Sequence, residues 1–221
     1  MKAIVVPIKE PSNAKTRLAC LLSPVERRDL AWAMFVDVAK ALTETGEMCA
    51  IFIVTSYDLA ARHSRGLGFG VLSESKQSSE SSSVDWASAT LVARGFDSVL
   101  RLPADIPLVR GEDVRTLLAT QTSGRGALMV PSRDGTGTNA ILRTPPDLFA
   151  SHFGPNSLAL HIAEADRAGA AHSIIPNPRI ALDIDEPSDI EAFFAWGAGT
   201  ETDTFQMLSQ INAAERLKVG I

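Results

Sequence analysis

A mixed α/β fold, with a mostly parallel twisted sheet flanked by crossover helices, is what this 221-residue sequence predicts. Two observations predict it: short β-type runs rich in Val, Ile and Leu alternate with longer stretches of helical period, and the length suits a single α/β domain. The first run, AIVVP at 3–7, leads through a polar loop to SPVERRDLAWAMFVDVAKALTE at 23–44. There Ser23, Pro24 and Glu26 supply an N-cap, a first-position proline and a capping-box acid. Leu30, Met34, Val38, Ala41 and Leu42 then share one helical face, which should cover the sheet. Further strands are expected at AIFIVTS (50–56), FGVL (69–72), SVLRLPAD (98–105), ALMVPS (127–132), NAILR (139–143), HSIIP (172–176) and IALDI (180–184). Helices are expected after Ser56, Ser83, Gly111, Ser157 and Ser188, with Gly95 as a C-terminal stop. The patch SESKQSSESSS at 73–83 reads as a surface loop, or as a loop that lines a ligand site. From Gly199 onward the tail reads as one more amphipathic helix.

The length suits one domain with a large core. A formal net charge of −5 with both signs interspersed argues against a polyanion-binding surface, so no nucleic-acid partner is expected. The N-terminal apolar stretch is far shorter than a membrane span and has no signal-peptide cleavage pattern, so a cytoplasmic protein without a membrane partner is expected. Cys20 and Cys49 have no metal or disulfide spacing, and the four histidines are scattered.

Parallel α/β sheets bind ligands beyond the carboxyl ends of their strands, so the loops that follow the apolar runs are where chemistry should lie. The first, IKEPSNAKTRLA, sets Lys9, Lys15 and Arg17 in a loop able to neutralise phosphates, though it is neither GxGxxG nor GxxxxGK[ST] and could be plain surface. In LRLPADIPLV, Asp105 stands between Pro103 and Pro107, as a hard-cation ligand or as a turn aspartate. VPSRDGTGTNAIL brings Gly135, Gly137, Thr138 and Asn139 together, in a close-approach loop or a hairpin turn. In HFGPNSLALHIAEA, Ser157 begins a helix whose N-terminus could hold a phosphate, or merely caps it; His161 shares its face and reads as packing rather than catalysis. Asp183 and Asp185 in DIDEP sit two apart on the last expected strand and so face the same side. Together these features suit phosphoryl or nucleotidyl transfer with a divalent metal.

In this order, AKTRL, ADIPLV, PSRDGTGTNAIL, FGPNS and DIDEPSDI resemble the guanylyltransferases of coenzyme F-420 biosynthesis, the CofC or FbiD family, over most of the chain to about residue 193. The resemblance implies a Rossmann-like nucleotidyltransferase domain of the nucleotide-diphospho-sugar transferase type at 1–198, with 199–221 a helical tail packed on it. It also implies transfer of GMP from GTP to 2-phospho-L-lactate, phosphoenolpyruvate or 3-phospho-D-glycerate. On it, Asp105, Asp183 and Asp185 are the magnesium ligands and form the catalytic set with Lys15; Lys15 and Arg17 lie along the GTP phosphates, and Thr138, Gly154 and Ser157 bind the acid. Asn139 is a further substrate-binding candidate. Two magnesium ions about 3.5–4 Å apart would screen the repulsion between the two anionic substrates. The serine-rich patch departs from the family's glycine-rich loop and leaves the base contacts open. The alternatives are a molybdopterin or sugar-phosphate nucleotidyltransferase and a non-catalytic GTP-binding regulatory module. Assembly is open, a homodimer included.

Overall fold

The computed structural model of the chain describes residues 1–11, 14–74, 79–120, 124–197 and 199–219. Its strands are β1 (Lys2–Pro7), β2 (Ala50–Val54), β3 (Gly70–Leu72), β4 (Ser98–Arg101), β5 (Gly126–Pro131), β6 (Thr138–Thr144) and β7 (Ala171–Ile174). They form one sheet in the order β3-β2-β1-β4-β6-β5-β7. Only β6 runs against its neighbours, pairing antiparallel with both β4 and β5, while the other pairs are parallel. Reversal of β6 has a consequence for function. It brings the start of β6 to the same edge as the ends of β1 and β4.

The helices are α1 (Pro24–Thr43), α2 (Asp58–Gly66), α3 (Glu80–Ala93), α4 (Gly111–Ala119), α5 (Ser157–Arg167), α6 (Pro178–Ala181), α7 (Pro187–Ala195), α8 (Asp203–Gln210) and α9 (Ala213–Val219). The expected capping box of α1 forms: Ser23 accepts from the Glu26 N–H while the Glu26 carboxylate accepts from that of Ser23. Its expected face, Leu30, Met34, Val38, Ala41 and Leu42, is buried. Alternation along β1 serves both faces of the sheet. Ile4 and Val6 pack against Phe35, Val38 and Leu42 of α1 and Val114 and Leu117 of α4, whereas Ala3 and Val5 pack against Ala87 and Leu91 of α3. On the β5–β6 side, Met129 and Ile141 meet Ala165 of α5. Another cluster joins Leu30 and Met34 of α1 to Leu182, Ile184, Ile190, Phe193, Leu208 and Leu217.

Several expectations are corrected. Residues 180–184 are not a strand: Asn177 caps the short α6 by accepting the N–H groups of Arg179 and Ile180, and the chain then runs extended to Glu186 outside the sheet. The alternation that suggested a strand is nonetheless real, since Leu182 and Ile184 are buried and Asp183 and Asp185 are not. The serine-rich patch is partly helix, because Ser79 caps α3 and the helix begins at Glu80 rather than after Ser83; residues 75–78 of that patch lie outside the described residues. Helix α7 starts at Pro187, with Glu186 and Asp189 as its capping box, one residue ahead of the expected Ser188. The tail forms two helices, not one. Strand β4 stops at Arg101, because Pro103 carries no N–H for a ladder bond. Among the described residues no helix is long and apolar enough to cross a membrane.

Candidate active site

A cavity of about 770 Å³ opens at the carboxyl edge of the sheet, where β1 and β4 lie side by side and the crossovers leave in opposite directions. Lys15, Arg17, Asp105, Thr138, Asn139, Gly154, Ser157, Asp183 and Asp185 all line it, so the residues that the family resemblance singles out are brought to one place, while Gly135 and His161 are not in its lining.

Lys15 reaches it through a left-handed backbone at φ 53°, just before a 3-10 turn at Thr16–Leu18. Its Nζ lies 2.5 Å from Asp105 Oδ2 and 2.6 Å from Asp185 Oδ1. Burial opposes the Lys15 charge, yet the two carboxylates outweigh it and hold the amine above its ordinary range. For Asp105 burial pushes upward, but Lys15 in contact with it holds the carboxyl below the usual carboxylate range. Among the described residues Asp183 has no such cation. Burial, with the neighbouring Asp105 charge, pushes it up to about 6.

Backbone contacts fix these carboxylates. The Ile184 N–H donates to the Asp105 carbonyl at 3.1 Å, which ties the extended 182–186 segment to the loop after β4. Asp189 accepts the N–H groups of Asp185 and Glu186 while capping α7. The Asn139 amide donates to the carbonyls of Ile180 and Ala181 and to Asp183 Oδ1 at 2.9 Å. The Asn139 amide hydrogens are therefore committed to the Asp183 segment, which makes this residue a bracket for the carboxylate. Arg17 forms an exposed ion pair with Glu186 at 3.1 Å.

The β5–β6 turn is a hairpin, and its residues Ser132, Asp134, Thr136 and Gly137 line the cavity. Asp134 accepts from Ser132 and from the N–H and hydroxyl of Thr136, which hold its carboxyl down at about 2. A Cβ at Gly137 would come within 2.7 Å of Ser132 Oγ, so any larger residue there would displace the Ser132 side chain. Ser157 does not cap α5. That position is Asn156, at φ 58° and without a side-chain cap, and Ser157 Oγ instead accepts the Thr138 N–H at 2.8 Å.

Sequence reasoning missed Arg101 and Glu80, which also line the cavity. Arg101 is buried, donates from Nη1 to the Asn139 carbonyl at 3.0 Å, pairs with Glu80 through Nη2 and stacks over Phe153 at 4.1 Å. An arginine inside the apolar run SVLRL was the available signal, since arginine is seldom buried unless paired.

Among the described residues, no cluster of three or more His, Cys, Asp or Glu side chains is arranged to hold a metal ion, and Lys15 stands between Asp105 and Asp185. The donor chemistry nonetheless fits a hard divalent cation. Three carboxylates line one wall, and Asp105 Oδ1 is buried without a hydrogen-bond partner.

The fold is that of the nucleotide-diphospho-sugar transferases. A structure from Desulfovibrio desulfuricans G20 described as a nucleotide-diphospho-sugar transferase superposes with a TM-score of 0.80 at 18% identity, covering 99% of this chain and 97% of that one. A cytidylyltransferase from Leptospira borgpetersenii superposes at 0.57 and 14% identity, covering 98% and 95%. The chain belongs to the CofC-like guanylyl transferase family, whose sequence profile matches residues 1–216. It is 35% identical to a phosphoenolpyruvate guanylyltransferase of Conexibacter woesei, over 94% of this chain and 95% of that protein. Identity is 29% to a 2-phospho-L-lactate guanylyltransferase of Methanothermobacter thermautotrophicus (89% and 85% covered) and 31% to a 3-phospho-D-glycerate guanylyltransferase of Colwellia psychrerythraea (85% and 89%).

Proposed function

We propose that this protein transfers GMP from GTP to the phosphate of a phosphorylated three-carbon acid, 2-phospho-L-lactate, phosphoenolpyruvate or 3-phospho-D-glycerate, in coenzyme F-420 synthesis. The observation that carries the reading is one cavity lined by Asp105, Asp183, Asp185 and Lys15 together with Thr138 and Ser157. Relatives named for all three acids support it.

An oxygen of the acid's phosphate attacks the α-phosphorus of GTP, a P–O bond forms, the α–β P–O bond breaks, and pyrophosphate leaves with the electron pair. The acceptor phosphate, with a second pKa of about 6, is mostly dianionic at neutral pH and needs no protein base. Lys15 suits a permanent cation, since the carboxylates beside it keep it protonated. Asp105, Asp183 and Asp185 would hold magnesium, which neutralises charge on the phosphates when bound. Arg17 lies at the rim, where the charged tail of the nucleotide can reach it.

The test is purified protein with GTP, magnesium and each acid in turn, followed by pyrophosphate release, with CTP and ATP as competitors. Release with at least one acid and GTP is expected; release with none overturns the reading. Asp105→Asn and Asp183→Asn should each lower kcat by about 10²-fold or more with circular dichroism unchanged. Near-normal rates in both would remove the metal scheme.

A further inference from the structure

We propose that His161 is a positioning residue that makes the Thr138 hydroxyl a hydrogen-bond donor to the anionic acid; this rests on the acid site of the preceding section. His161 is fully buried on α5, one turn beyond Ser157, with the rings of Phe153 and Phe149 centred 5.1 and 6.2 Å away. Its Nε2 lies 2.9 Å from the backbone N–H of His152. A backbone N–H can only donate, so Nε2 is the bare nitrogen and the single ring proton is on Nδ1. That nitrogen is 3.0 Å from Thr138 Oγ1, which therefore accepts.

The consequence falls on the cavity. A threonine hydroxyl has one proton and two lone pairs, and with one lone pair taken by Nδ1–H its proton is left to give elsewhere. Thr138 has no second side-chain partner among the described residues, and its own N–H is spent on Ser157 Oγ. Ser157 is thereby placed in the same state, accepting one bond and keeping its proton. Two adjacent hydroxyls at the cavity wall, each already accepting, match phosphate or carboxylate oxygens, which only accept. The neutral state of the imidazole agrees with its surroundings, because burial and the nearby Arg143, His152 and Arg101 charges hold its pKa down at about 4.

A packing histidine makes different predictions from this one. His161→Phe should raise KM for the acid about tenfold or more while KM for GTP stays within about twofold, the loss of one hydrogen bond to a charged group. His161→Asn, whose amide can sit at the Nδ1 position, should recover most of that loss, and His161→Gln should not. Thr138→Val should show the same loss, and combining it with His161→Phe should add little more. In the wild-type protein, ¹⁵N-detected imidazole spectra should show the Nδ1–H tautomer, a readout that does not depend on the variants folding. An unchanged acid KM in folded His161→Phe, additive losses, or an Nε2–H tautomer overturns the proposal. If the wild type neither binds nor converts any of the three acids, the functional reading falls and this proposal with it; if it converts one and the variants are silent, only this proposal falls.

Discussion

Asp183 shows how one side chain can cost stability for the sake of a site. Burial and the Asp105 charge raise its carboxyl to about 6, whereas in an unfolded chain it titrates near the ordinary aspartate value of 3.8. A raised folded-state pKa means that the group's contribution to stability is complete below about 4 and is lost as pH rises through about 6. In metal-free protein at pH 8, Asp183→Asn should therefore melt about 4 °C or more above wild type, with the gap closing near pH 4. The Asn139 amide can still donate to the new side-chain oxygen, so the substitution leaves that bond in place. Saturating magnesium should raise the melting temperature of the wild type and not of the variant. Melting curves across pH check both, and a gap that is the same at pH 4 and pH 8 counts against the assigned cause.

At the scale of elements, the buried Asp37 of α1 accepts the Asp203 and Thr204 N–H groups at 2.8 and 2.9 Å and the Thr204 hydroxyl at 2.6 Å, which fastens the start of α8 to the core. Asp37→Ala strands these donors and should cost about 1–3 kcal/mol, with amide exchange rising first in α8 and α9; exchange unchanged there would refute the anchoring role. The first helix was legible in the sequence because its cap, its proline and its apolar face agree locally, and that agreement needs no tertiary context. The DIDEP segment was half legible. Its alternation correctly paired the two aspartates on one side, but alternation says nothing of ladder partners, and here Asn139, Asp189 and the Asp105 carbonyl replace the neighbouring strand. Ser157 was legible as a site residue and illegible in role, because its hydroxyl turns to β6, which is 19 residues away in sequence. Arg101 and Glu80 stayed hidden for the same reason: their pairing joins a strand to a helix whose start lay inside a patch that composition marks as loop.

For the whole molecule, the site exists only when segments from residue 15 to residue 185 converge on one sheet edge, and the reversed β6 is what brings its donors there. No short stretch can form it alone, so substrate should bind the native state and not the unfolded chain. Mass action then gives about 2.7 kcal/mol of added stability at a hundred times the dissociation constant. GTP with magnesium at that excess should raise the melting temperature by about 5 °C or more. Asp105→Asn, which removes a carboxylate from the cavity wall, should lose most of that increment even where its own melting temperature is unchanged. Asp37→Ala should start lower and keep the increment, because Asp37 is absent from the cavity lining and anchors α8 instead. Thermal shift with and without nucleotide separates the two outcomes. An increment that disappears in Asp37→Ala and survives in Asp105→Asn would mean that the nucleotide binds elsewhere on the protein.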